Sequence, residues 1–233
     1  MPIIISPIAP ADISSAAHCI QVAFAEDPYH HWAFDSTKFN RSRNLVSLRA
    51  KCEWGIRNAL FYVAKDADGS DGKVIGISMW MKPRSVESPK LWSEWWDEYV
   101  LWFKQGLNLI RYGGRGGLRT NRYWIWKERQ AEAQSEIWTD PKGYYFCNIV
   151  TVMPGHQGAG VGKKLMSVVL DQADAEGRRC YLESSRMEPN VKIYEKMGFK
   201  LVKEMKCEEG GEVCDLFCMI REPQTKQAAT AND

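Results

Sequence analysis

The chain has 233 residues, 45% of them apolar and 26% charged, which is enough to bury a sizeable core as one large domain or two small ones. A net charge of +2 argues against a nucleic-acid protein held by a basic surface, and no apolar run approaches the roughly 20 residues of a membrane helix. Seven cysteines, an odd number in a chain too long to need stapling, and no basic-then-apolar opening segment point to a cytoplasmic protein with free thiols.

Residues 3–8 are short and β-branched and predict a strand. Residues 10–25 carry Ile13, Ala16, Ala17, Ile20 and Phe24 at helical spacing, with Asp12 as a candidate cap. The following Ala-Glu-Asp-Pro-Tyr-His-His-Trp, residues 25–32, breaks that helix at Pro28. A second helical pattern places Leu45, Leu48, Cys52, Ile56 and Ala59 on one face. The apolar run 60–64 and the alternating run 73–82 read as an antiparallel hairpin across a polar turn at 66–72, and residues 83–89 end it.

Residues 91–138 differ in kind. They hold seven of the ten tryptophans, with Arg111-Tyr112-Gly113-Gly114-Arg115-Gly116-Gly117-Leu118-Arg119 in their middle. The pattern predicts two or three helices around a glycine-rich loop, inserted into the domain over about 89–140. Tryptophan buries a large area, so these rings read as core. The arginines read as a solvated loop rather than an RNA site.

Residues 144–152 are the next strand. A glycine loop follows and opens into a helix with Val161, Leu165, Val168 and Val169 on one face, stopped by Gly177. This layout gathers backbone N–H groups and a helix N-terminus in one place, which is a built-in anion site. Residues 180–184 form a strand, Pro189 starts a short helix and Gly198 ends it. Residues 199–205 and 213–220 make a closing hairpin, and 223–233 a frayed, flexible tail. Cys207, Cys214 and Cys218 lack histidine at ligand spacing, so no metal is expected.

The loop is neither of two common phosphate motifs. A P-loop needs glycine where Gln157 stands, and serine or threonine where Lys164 stands. Gly158-Ala159-Gly160-Val161-Gly162-Lys163 has the wrong third spacing for a dinucleotide fingerprint. What it does match is Gln-x-x-Gly-x-Gly at 157–162, followed by Leu182-Glu183-Ser184-Ser185 and by an Asn-x-x-x-Tyr-Glu-x-x-Gly-Phe run from Asn190 to Phe199. These motifs resemble the acetyl-CoA signature, the next strand and the next helix of the GNAT (Gcn5-related N-acetyltransferase) superfamily. Together with the closing Cys218-Met219-Ile220-Arg221, they look most like its puromycin N-acetyltransferase-like members.

The resemblance implies an α/β (α+β) GNAT fold in one domain over 1–222. A central mixed, mostly antiparallel sheet of about seven strands is flanked by helices, and the tryptophan-rich insertion replaces a usually short connection. It implies acetyl-CoA as cosubstrate and direct transfer to a primary amine of a small molecule, with no nucleic-acid or membrane partner. A protein or peptide acceptor, or a CoA-binding module without catalysis, are the alternatives. Oligomeric state is not readable. The pyrophosphate falls on Gln157, Gly158, Ala159, Gly160, Val161, Gly162 and Lys163, and pantetheine on Val150, Thr151 and Val152 with Asn190. Tyr194 is implied as general acid at the sulfur; otherwise it is a helix tyrosine packed on the next strand. Glu183 is implied as general base, with a water relay to a carbonyl, His30 or His31 as the alternative. Asp27, Tyr29, His30 and Trp32 lie in the region that lines the acceptor side, where a plain helix–helix turn is equally open.

Overall fold

A computed structural model of the chain describes residues 2–66, 72–85, 89 and 91–224. Most of the expected turn at 66–72 and of the tail at 223–233 lies outside these described residues. The strands are β1 (Ile3–Pro7), β2 (Leu60–Asp66), β3 (Val74–Met81), β4 (Tyr144–Val152), β5 (Arg179–Ser184), β6 (Lys200–Glu209) and β7 (Glu212–Arg221). The helices are α1 (Ile13–Ala23), α2 (Pro28–Ala33), α3 (Arg41–Asn58), α4 (Trp92–Arg111), α5 (Thr120–Ile137), α6 (Val161–Ala175) and α7 (Lys192–Glu195).

The seven strands form one sheet in the order β1-β2-β3-β4-β5-β7-β6. Neighbours run antiparallel except β4 and β5, which are parallel. A parallel pair needs a crossover, and α6 supplies it. Strand alternation then sorts the core. Cys180 and Leu182 of β5 pack with Met166, Val169 and Leu170 of α6, whereas Tyr181 between them packs on the other face. On that second face α1 and α3 cover β2 and β3 through Ala16, Ile20, Cys52, Phe61 and Ile77. Further along it, α2 and α5 cover β5, β6 and β7. The mixed sheet and its flanking helices are the architecture expected.

Two local expectations are corrected and a third is extended. Asp12 does not cap α1. Its carboxylate instead accepts from the Ala9 N–H at 3.0 Å and pairs with Lys65 at 2.6 Å. The first helix does end before Pro28, at Ala23, but residues 28–33 then form a short helix of their own, because Asp27 caps it by accepting from the Tyr29 N–H at 2.9 Å and Pro28 suits its first turn. The insertion forms two helices around its glycine loop, but five of its seven tryptophans are more than half exposed rather than core. α5 packs inward, and α4 lies outside it on α3. Among the described residues no helix is long and apolar enough to cross a membrane.

One polar tie closes the sheet's far half. Arg221 at the end of β7 donates to both carboxylate oxygens of Asp174 on α6, at 2.6 and 2.7 Å, and to the Met197 carbonyl at 2.9 Å. Arg221 is only 4% exposed, so solvent screens this fork little. Removing one partner of a buried pair strands the other charge. Arg221→Ala should therefore lower stability by about 3–5 kcal/mol in urea unfolding. A loss below about 1 kcal/mol would mean that water already screens the pair.

Candidate active site

The site begins with two strands that part. β4 and β5 pair from Tyr144↔Arg179 to Cys147↔Leu182 and no further, although β4 continues to Val152 and β5 to Ser184. A bulge in β4 sits at the parting. Met79 pairs with Ile149 and Trp80 with Cys147, so Asn148 is an extra residue in the ladder. Beyond it β4 stays with β3 up to Gly76↔Val152 and leaves β5 behind. The result is a cleft of about 650 Å³ whose wall includes Val150, Thr151 and Val152.

The glycine loop closes one end of the cleft. Gly155, Gly158 and Gly160 have φ of 88°, 80° and 77°, a left-handed conformation that other residues rarely adopt. Gly160 is the N-cap of α6, and the Lys164 N–H makes the first intrahelical bond, to the Gly160 carbonyl at 3.0 Å. The N–H groups of Val161, Gly162 and Lys163 therefore have no helical partner, and they stand at the positive end of the helix dipole. Gly162 differs from the loop glycines. Its φ is ordinary, and an added Cβ would meet nothing nearer than Val152 Cγ2 at 3.7 Å. Neither backbone nor packing asks for glycine there, and its missing side chain leaves the first turn of α6 bare. A phosphate group resting on bare backbone fits that cradle.

The opposite wall comes from the segment after β5. Arg186, Pro189, Asn190, Ile193, Tyr194 and Met197 all line the cleft. Asn190 Nδ2 donates to Ser184 Oγ at 3.2 Å, and the Tyr194 ring meets Phe199 edge-on at 6.1 Å. Burial pushes the Tyr194 hydroxyl well above its ordinary range, and the nearby Cys147 and Asp27 add to the shift. Tyr194 therefore keeps its proton and is available as a donor. Lys163 and Arg186 bring positive charge to the same cleft. Asp27 forms part of the third wall and is 8% exposed; one of its oxygens caps α2 and the other accepts from Ser185 Oγ at 2.6 Å.

The cleft thus brings together Asp27, Val150, Thr151, Val152, Gln157, Gly158, Gly160, Val161, Gly162, Lys163, Asn190 and Tyr194. Ala159 lies in the loop but not on the cleft wall. Glu183 is elsewhere: past Leu182 the strand turns it towards α5, where it accepts from Gln130 at 2.7 Å, Tyr181 at 2.9 Å and Gln134 at 3.4 Å. Burial raises its pKa, partly countered by those donors and by Lys127. Tyr29 and Trp32 pack in the α5 core; Tyr29 lies 5.1 Å from Trp126, and Trp32 Nε1 donates to the Glu212 carbonyl at 3.2 Å. His30 opens into a separate cavity of about 390 Å³ that shares Val22 and Glu26 with the cleft wall. Arg186 was missed by sequence reasoning. It follows the carboxyl end of a parallel strand, where ligands of open α/β sheets bind, and that position was its available signal.

Residues 119–201 match the model of the Acetyltransferase (GNAT) domain. Over 162 residues the chain is 30% identical to an uncharacterised N-acetyltransferase of Schizosaccharomyces pombe, a match covering 68% of this chain and 60% of that relative. The fold is similar to a Corynebacterium glutamicum structure described as histone acetyltransferase HPA2 and related acetyltransferase. There the TM-score is 0.59 at 18% identity, over 98% of this chain and 100% of that one. It is also similar to yncA of Salmonella typhimurium, solved with its cofactor acetyl-CoA, with a TM-score of 0.52 at 16% identity over 100% of both chains. With its parted strands and glycine loop the chain has the GNAT fold, and within it residues 119–201 match the acetyltransferase (GNAT) domain model.

Proposed function

We propose that the chain is an acetyl-CoA-dependent N-acetyltransferase that acetylates a primary amine of a small molecule, working as one domain over 1–222 in the cytoplasm. The observation that carries this reading is the parting of β4 and β5, with the Gly162 cradle at one end and Tyr194 on the facing wall. The resemblance to puromycin N-acetyltransferase-like members supports a small acceptor.

When bound, acetyl-CoA supplies an activated acetyl group as a thioester. In the proposal the first-turn amides of α6, with Lys163 and Arg186, hold its pyrophosphate. The freed edge of β4 over 149–152 offers N–H and C=O groups to the pantetheine amides, as a strand edge does to an added strand. One such N–H stabilises the carbonyl oxygen where negative charge develops. Asp27 receives the acceptor's ammonium at the mouth. The amine attacks only when neutral, and an alkylamine has a pKa of about 10.4, so a base must take a proton. Glu183 takes it through water, since the carboxylate lies behind the cleft wall. As the C–S bond breaks and the C–N bond forms, Tyr194 gives its proton to the departing sulfur.

Acetyl transfer to a panel of amines, followed by thiol release, tests the reading as a whole; no release with any amine would leave at most a CoA-binding module. Tyr194→Phe should lower kcat by about 100-fold with a small change in the KM for acetyl-CoA. Equal turnover would remove the hydroxyl from the reaction. For Glu183 the sign follows from its raised pKa. The carboxylate accepts a proton only when ionised, so kcat/KM should fall as pH drops through that pKa. Glu183→Gln should abolish this acidic limb, and an unchanged profile would rule the residue out as base. Gly162→Val should leave the melting temperature within about 2 °C. It should weaken acetyl-CoA binding at least about tenfold in isothermal titration. Unchanged affinity would show that the cradle is not a phosphate seat.

A further inference from the structure

α4 is built inside out. Asp97, Lys104, Gln105 and Asn108 face the protein. Asn58 Nδ2 donates to Asp97 Oδ2 at 3.1 Å, Ser47 Oγ donates to Gln105 Oε1 at 2.8 Å, and Asn108 Nδ2 donates to the Arg43 carbonyl at 3.1 Å. Lys104 pairs with Glu53. Its apolar residues face water: Trp92, Trp95, Trp96, Tyr99, Trp102 and Phe103 are between 53% and 83% exposed. At ~150–250 Å² per ring, these six leave on the order of 600–1,000 Å² of aromatic surface in solvent. The largest apolar patch on a typical monomer is about 300–600 Å².

The exposed face also has a period. Trp92, Trp95, Tyr99 and Trp102, with the half-buried Gly106 and Leu109 at the edge of that face, follow one another at alternating steps of three and four residues. That is a heptad seam, the spacing that keeps one stripe of a helix against a second helix. Trp96, Phe103 and Ile110 widen the stripe on one side. Gly106 stands within the seam. Glycine weakens a helix interior, and here an added Cβ would meet nothing within 4 Å. The chain itself gives no reason for it.

We propose that this face pairs two copies of the chain, with their α4 helices antiparallel. A two-fold pairing must be self-complementary. Aligned about the midpoint between Val100 and Leu101, each layer of the seam meets its counterpart. Trp92 lies against the partner's Leu109, Trp95 against the partner's Gly106, and Tyr99 against the partner's Trp102, each layer occurring twice. Trp95, the large ring, fills the slot that the partner's Gly106 leaves. The exposed ring area matches the roughly 800 Å² per partner of a standard interface. A lipid surface fits less well. It has no use for a heptad period or for a glycine slot, and an interfacial helix carries its Lys and Arg on a solvent-facing polar side, whereas the polar side of α4 is spent on α3.

Sedimentation of the full chain from about 1 to 100 µM tests the proposal. A dimer is expected. Trp102→Glu should raise its dissociation constant at least about 100-fold, because the charge enters a two-fold interface twice. Circular dichroism should stay unchanged, since the side chain is 77% exposed. Gly106→Leu separates pairing from folding: it should raise the melting temperature of the monomer by improving helix propensity, yet weaken pairing at least about tenfold by filling the slot. A chain that is monomeric throughout this range overturns the proposal. So does a dimer that neither substitution weakens. Flotation with phosphatidylcholine–phosphatidylserine vesicles is the third measurement; a monomer that floats with them overturns the pairing and makes lipid the occupant.

Discussion

The structure depends on one interruption in a hydrogen-bond ladder. Two parallel strands at the centre of a sheet ordinarily stay paired, since each unpaired backbone group removed from water costs free energy. Here β4 takes one extra residue, Asn148, against β3 and then follows β3 alone. The freed edges of β4 and β5 stay satisfied only because the gap between them is open to solvent or to a ligand. The glycine loop leaves from the end of β4, and the segment bearing Tyr194 follows the end of β5. The same separation that opens the sheet therefore sets the loop and the tyrosine on facing walls.

The insertion does two jobs with its two helices. α5 becomes part of the body: Arg122, 6% exposed, donates to Glu209 at 2.9 Å, Glu212 at 2.6 Å and the Trp32 carbonyl at 2.9 Å. It ties α2 to the β6–β7 hairpin. From the same helix Gln130 and Gln134 hold Glu183 by both oxygens. A buried carboxylate supplied with donors stays oriented, while burial keeps its affinity for protons high. α4 contributes nothing to that chemistry. It meets the body through side-chain hydrogen bonds and turns its rings outward.

How much of this the sequence disclosed follows from the range of each interaction. The glycine loop was legible because its requirements are local: a positive φ and a helix start can be read within ten residues. The mixed, mostly antiparallel sheet of about seven strands was legible through motif resemblance; its strand order was not. The bulge at Asn148 was not, since a bulge is a property of two strands in register and only one is visible at a time. The helix at 28–33 carried its own signals, Asp27 as cap and Pro28 at the first turn, but the proline was read only as the stop of the helix before it, which it is, and not as a start. Two or three helices were expected over 91–138, but nothing local says which face of α4 looks inward. Aromatic content favoured the wrong face, because a polar inner side must find partners on another helix, here α3, 39 to 65 residues earlier. Glu183 was placed on the right strand, but alternation assigns a face only once the neighbouring layers are known.

Asp27 has a mechanical consequence. With one oxygen it holds the first turn of α2, and with the other it holds Ser185, just past the end of β5. The rim of the cleft on that side is thus latched by two hydrogen bonds on a single carboxylate, not by apolar packing. Each such bond is worth on the order of 0.5–1.5 kcal/mol net. A single carboxylate therefore couples the start of α2 to the end of β5: a change that removes it releases both at once.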